Sequence, residues 1–152
     1  MPKFEISNLV GCWNVRRHII DYRHDDVGHF KGAAEISLCN VVSFITESND
    51  RNTLLFVERG QLSYAKNKFS TFRKYKILFG SEGVNIYFNS NQEFFFLRFG
   101  QSIQQFSYNC NHDLYSGNFK AIAKNLFQLK WKVKGPRKKY YLNSIYNIID
   151  KR

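Results

Sequence analysis

The chain has 152 residues, 43% hydrophobic and 17% aromatic, with 23 Lys and Arg against 12 Asp and Glu, a formal net charge of +11. Such a length suits one domain over residues 1–152, with a core that buries roughly 70% of the unfolded surface, and the aromatic content with only two prolines excludes a disordered or linker-rich chain. The positive balance admits an anionic partner (nucleic acid, a phosphorylated metabolite or a membrane surface) and equally a merely solvated exterior.

Met1 to Ile6 lacks a basic-then-apolar leader, and no apolar run approaches the ~18 residues of a membrane-spanning helix, so a cytoplasmic protein is the expectation. Residues 3–9 read as a short helical or extended lead-in with Ser7 and Asn8 as turn or cap residues. From Gly11 the residues alternate, Trp13, Val15, Arg17 and Ile19 against Asn14, Arg16, His18 and Ile20, as in a strand with one buried face. Asp21 to Asp26 reads as a charged loop, and Gly28 to Leu38 as a second strand with a bend at Gly32.

Beyond a polar connection at Glu47–Asn52, Thr53–Glu58 reads as a strand that Arg59-Gly60 turns into Gln61–Tyr64. Phe69–Phe79, Gly83–Phe88, Gln92–Phe99, Ile103–Tyr108, Asp113–Ala123, Leu126–Val133 and Tyr140–Ile149 follow, separated by Asn, Ser and Gly clusters. Helical turns are admissible only between Ile36 and Phe44 or around Lys120–Phe127. The spacing predicts an all-β domain, an antiparallel up-and-down barrel of about ten strands whose closure removes exposed edges and whose interior has room for one small ligand.

The densest stretch is Trp131 to Tyr141. Trp131 and Val133 face opposite to Lys130, Lys132 and Lys134. Pro136 cannot donate to a ladder and Gly135 tolerates positive φ, so the chain should reverse there. Arg137, Lys138 and Lys139 then stand at the mouth of the last strand.

Gly11-Cys12-Trp13 resembles the G-x-W that opens the first strand of lipocalins and other calycins. That resemblance implies a tryptophan plugging the barrel base, with a basic side chain such as Arg137 or Lys138 packed over it. A longer resemblance is to an uncharacterised bacterial family, a domain of unknown function thought to be calycin-like. It is carried by Glu58-Arg59-Gly60, by Arg73-Lys74-Tyr75, by Cys110-Asn111-His112-Asp113-Leu114-Tyr115 and by the closing Trp131-x-Val133-x-Gly135-Pro136-Arg137-Lys138. The chain departs from the pattern at Ser90 and Lys139, where aspartates are expected, at Gln92 in place of an arginine, and at Phe95 and Tyr108 in place of histidines.

The matching residues define a candidate ligand site of Arg17, Glu58, Arg73, Tyr75, Asp113, Tyr115, Arg137, Lys138 and Tyr140, with Gly11, Trp13, Trp131, Gly135 and Pro136 structural. Unlike charges on barrel strands either form an internal ionic network or line a pocket for a polar or anionic small molecule. His18, His24, His29 and His112 show no metal spacing. A haem of the kind nitrobindin-like calycins hold would fall to His112, beside Asp113, against which stands an exposed loop histidine and no cofactor. The thiols of Cys12, Cys39 and Cys110, odd in number and without a Cys-x-x-Cys pair, read as reduced.

Three functions remain. The first is a non-enzymatic barrel holding a small ligand. The second is nucleic-acid or anionic-surface binding by the basic face around Lys130–Lys139, which needs rings on the same face as the lysines, whereas Trp131 turns inward. The third is a hydrolase or isomerase using Glu58 and Asp113 in the barrel; Cys110 and His112, two apart on a strand without a third group, read instead as an inert thiol and its neighbour. The ligand and the oligomeric state are not encoded in any motif.

Overall fold

A computed structural model describes residues 4–38 and 53–150. A 3-10 turn at Ile6–Asn8 precedes ten antiparallel strands: β1 (Gly11–Asp21), β2 (Asp26–Leu38), β3 (Thr53–Tyr64), β4 (Asn67–Phe79), β5 (Gly83–Phe88), β6 (Glu93–Arg98), β7 (Ile103–Cys110), β8 (Asp113–Ala123), β9 (Leu126–Lys134) and β10 (Lys139–Asp150). They form one sheet in the order β6-β5-β4-β3-β2-β1-β10-β9-β8-β7, rolled into a nearly closed barrel. The alternation read along β1 is real: Trp13, Val15 and Arg17 are buried and Asn14, Arg16 and His18 exposed.

Closure at the last seam is made by side chains. Among the described residues β6 and β7 share no backbone ladder, and Gln104 of β7 substitutes for one. Its Oε1 accepts from the Arg98 amide at 2.7 Å and its Nε2 donates to the Arg98 carbonyl at 2.7 Å. Phe95 of β6 stacks on Phe106 of β7 at 4.3 Å and 10° across the same gap. The exposed edges that the strand count predicted are thus covered by one amide and two rings.

The base is plugged as the G-x-W pattern implies. Trp13 is 1% exposed, its Nε1 donates to the Leu9 carbonyl at 2.9 Å, and its ring meets Phe127 edge-on. Phe4 packs beneath, against Phe99 and Phe119. Among the described residues no basic side chain from the last strands covers Trp13, because Trp13 pairs with Ile148 at one end of β10 while Lys139 begins the other end. Arg137 and Lys138 lie a barrel's length away, on the turn.

Three other expectations change. Arg59-Gly60 is no turn: β3 runs straight through it, Gly60 paired with Gly32 on β2 and Thr71 on β4. Both glycines are there for space, since a Cβ on either would lie 2.7 Å from the Phe30 ring, which fills the gap above them. The segment Lys120–Phe127 is a strand end, a tight turn and a strand, without helix, and β2 starts at Asp26, so the charged loop shrinks to four residues. At Gly135 the constraint is again space: a Cβ there would strike the Asp113 carboxylate, which sits against the β9–β10 turn. Cys39, the connection Glu47–Asn52 and the part of Ile36–Phe44 after Leu38 lie outside the described residues, and Cys12 and Cys110 are free thiols.

At the open end, the β1–β2 turn is locked by Asp21. Its carboxylate accepts from the Tyr64 hydroxyl at 2.6 Å and from the Arg23 and His24 amides, and lies 2.9 Å from the His24 ring. The Tyr64 bond lowers the Asp21 pKa to about 2 and raises that of Tyr64 to about 12.

Two outcomes follow from these contacts. Gly60→Ala, which forces Phe30 off its glycine seat, lowers stability by about 1–3 kcal/mol by urea unfolding. Asp21 is depressed, so its contribution is present above the ordinary aspartate range near pH 4 and lost as pH falls through about 2. The gap in urea midpoint between the native chain and Asp21→Asn therefore closes over that interval.

Candidate functional site

Halfway along the barrel, Arg17 of β1 and Glu58 of β3 meet across the intervening β2. Ala34 pairs with Glu58, and Gly32 lies one register step away, so small residues leave room for the two long side chains to reach each other. The pair is bidentate, Nη2 to Oε1 at 2.7 Å and Nη1 to Oε2 at 3.1 Å, with side chains 6% and 2% exposed. Arg17 also donates from Nε to Ser144 Oγ at 2.6 Å and from Nη2 to the Tyr146 hydroxyl at 3.1 Å, while that hydroxyl donates to Glu58 at 3.2 Å. Its guanidinium lies 4.9 Å from the centre of the Phe30 ring. Burial opposes the charge of Arg17, but Tyr146 and Glu58 outweigh it and its pKa is raised; burial, then Glu58, raises that of Tyr146.

Above this floor are two connected spaces. The inner one, about 100 Å³, is walled by aliphatic and aromatic side chains with Arg17, Glu58, Ser144 and Tyr146 as its polar patch. The outer one, about 450 Å³, forms the mouth. Arg73, Tyr75, Phe94, Trp131 and Leu142 line both and make the neck. Phe94 stacks on Trp131 at 4.8 Å and 7°, and on Phe88 at 4.3 Å and 24°, a ladder of three rings along one side.

Polar groups ring the mouth. Tyr115 and Tyr140 hydroxyls contact each other, and burial followed by that contact pushes the Tyr140 pKa up. Tyr108 touches Cys110 and Gln92, and burial, then the thiol, raises its pKa. Both phenols therefore stay neutral donors at physiological pH. Arg73 is cross-strand from Glu58 but does not reach it. Its guanidinium, exposed at the neck, makes no ion pair or hydrogen bond among the described residues, and its charge bears on Tyr140.

The set of charges read from the sequence thus separates. Arg17 and Glu58 pair at the floor, and Arg73, Tyr75, Tyr115 and Tyr140 gather at the neck and mouth. Asp113 pairs with Lys138 at 3.2 Å on the outer lip, where Arg137 is exposed. Asp113, Arg137 and Lys138 do not line either space. Glu58 and Asp113 therefore form no acid pair, because each carboxylate is held at a different level by its own cation. Cys110 faces the mouth while His112 is exposed in the β7–β8 turn, and no hydrogen bond joins them among the described residues.

A haem held through His112 does not fit this arrangement, since the ring stands outside both spaces next to a carboxylate already engaged by Lys138. No group of three or more His, Cys, Asp or Glu gathers among the described residues. No helix of the described residues is long and apolar enough to cross a membrane.

Sequence reasoning missed Ser144, Tyr146, Phe88 and Phe94 as site residues. A register shift between Ile86 and Tyr87 breaks the two-residue period, which is how Phe94 and Phe95 both come to line the interior. Ser90, Gln92 and Tyr108 did carry a signal: they line the mouth and stand where the resembled pattern has an aspartate, an arginine and a histidine.

Residues 9–148 match the model of a "Family of unknown function (DUF6314)". No curated protein matches the chain. Among solved structures, the fold is similar to that of a protein of unknown function from the DUF3598 family of Nostoc punctiforme, with TM-score 0.62, 9% identity and coverage of 98% of this chain and 51% of that one. The chain thus spans about half of that protein. It is also similar to the S-type phycobiliprotein lyase CPES from Guillardia theta, with TM-score 0.55, 6% identity and coverage of 95% and 89%. At these identities the likeness is one of fold.

The buried pair yields one outcome for the site's floor. Glu58→Leu alone strands the Arg17 charge and lowers stability by about 3–5 kcal/mol, whereas Arg17→Met with Glu58→Leu recovers most of it. Urea unfolding of the three chains checks this, and a single substitution no worse than the double one overturns it.

Proposed function

The chain belongs to DUF6314, a family of unknown function, and we propose that it is a binding protein that takes a small anionic molecule through the open mouth of the barrel. The observation that carries this reading is the charge inventory of the interior. Glu58 is bound to Arg17 and Asp113 to Lys138, which among the described residues leaves Arg73 as the uncompensated ion at the neck. An anion completes it. The carboxylate or phosphate of a ligand would sit against the Arg73 guanidinium, with the Tyr115–Tyr140 hydroxyl pair and Gln92 as further donors. The apolar body of the ligand would lie along Phe88, Phe94 and Trp131, and a group of a few heavy atoms would pass into the inner space.

Binding, rather than turnover, is supported by the same pairings. Glu58 is fixed by three hydrogen bonds from Arg17 and Tyr146, so it is poorly placed to exchange protons with a substrate. The similar fold of a phycobiliprotein lyase carries no activity across.

The test is a titration of Trp fluorescence with a panel of aromatic and aliphatic carboxylates and phosphates, each beside its neutral amide or alcohol. Trp131 at the neck reports occupancy. The acids bind and the neutral partners bind at least tenfold more weakly. Arg73→Ala weakens the best acid by about 10- to 100-fold, the value of a charge-assisted hydrogen bond, with an unchanged melting temperature because Arg73 is exposed. Equal binding of acids and neutral partners, or indifference to Arg73→Ala, overturns the proposal.

A further inference from the structure

The basic stretch that dominates the C-terminal third of the sequence takes no part in the barrel interior. Up to residue 100 the chain is close to charge balance, thirteen Lys and Arg against ten Asp and Glu, whereas residues 101–149 hold eight against one. The single acid, Asp113, is tied to Lys138. The excess positive charge is therefore concentrated on the wall made by β7 to β10.

On the outer face of that wall the register interleaves cations with rings and amides. Lys132 of β9 pairs with Tyr141 of β10 on one side and Ser116 of β8 on the other. Lys130 pairs with Asn143 and Asn118, and Lys120 of β8 with Gln128. A groove of about 500 Å³ runs across these strands, with Tyr22 and Tyr141 in its lining beside Lys120, Lys130 and Lys132. No ion pair engages these lysines among the described residues. Trp131 is buried on the opposite face, as the alternation requires, but Tyr141 supplies the ring it withholds, directly across from a lysine.

We propose that this groove is a binding surface for single-stranded nucleic acid, independent of the barrel interior. Lysines spaced two residues apart along β9 take successive phosphates. Tyr141 and Tyr22 offer faces to unstacked bases, and Asn118 and Gln128 offer amides to their edges. An anionic bilayer would need a continuous apolar edge to bury, and apart from exposed Ile103 and the two tyrosines the exposed lining of this groove is amide, hydroxyl and ammonium. A duplex would satisfy the lysines and leave the rings idle.

The experiment is fluorescence anisotropy of a labelled oligothymidylate of about ten nucleotides with the full chain, over a range of salt. Affinity falls with a log–log slope of about −2, as for three phosphates neutralised on a single strand. Lys130→Glu with Lys132→Glu weakens binding by at least tenfold, and Tyr141→Ala by about fivefold or more. Lys68→Glu with Lys74→Glu makes the same charge change on β4, five strands away in the sheet order, and leaves affinity within about twofold, as does Arg73→Ala. Equal losses from both lysine pairs would reduce the effect to bulk charge and overturn the proposal. So would a duplex of the same length that binds as tightly and ignores Tyr141→Ala, preferential capture by phosphatidylserine vesicles, or no binding at low salt.

Discussion

The structure hangs on two buried charges that meet across a strand belonging to neither. Arg17 and Glu58 are carried by β1 and β3, and their four-point contact with Ser144 and Tyr146 ties three strands, β10, β1 and β3, at one level of the barrel. Taking both groups out of water is costly, so the pair is weak evidence for stability as such. Its consequence is geometric. A slip of one residue in any of these strands would turn a charge or its partner to the outside, so the network selects one register.

That demand propagates into residues with no charge. β2 must be thin where the side chains cross, which explains Gly32 and Ala34 beneath them and Gly60 beside them. The space opened over the glycines is refilled by Phe30, whose ring also supports the Arg17 guanidinium. The base is sealed by Trp13 and Phe4, and the seam by Gln104 and the Phe95–Phe106 stack, so the one wide opening faces the mouth. With the floor neutralised internally, the charged residue left without a partner in the lining of that opening, among the described residues, is Arg73. The sign of the proposed ligand follows from where the other ions have already found partners.

The exterior obeys a different rule. Side chains there are free of packing constraints, and the surplus of lysine falls on the strands after residue 100. Interior and exterior therefore use cations in opposite ways: Arg17 is held rigid by fixed acceptors, whereas Lys132 stands exposed across from the Tyr141 ring and Lys130 lies half-buried between two asparagines. The two proposed sites share the barrel wall and no side chain of either argument.

Much of this was written in the alternation of residues. Apolar and polar positions two apart set the strands, their inward faces and the outward lysines of β9, because a strand's two faces are fixed by a local period of two; the plugging role of Trp13 was implied by the resemblance to calycins. Glycine was the ambiguous letter. Gly60 was read as a turn and Gly135 as a site of positive φ, yet both are small because another chain segment comes close, and proximity in space has no local signature. The same reason hid which charge meets which. Arg17 and Glu58 stand 41 residues apart, and only the closing of the sheet brought them together, sent Asp113 to Lys138 on the lip and left Arg73 without a partner among the described residues.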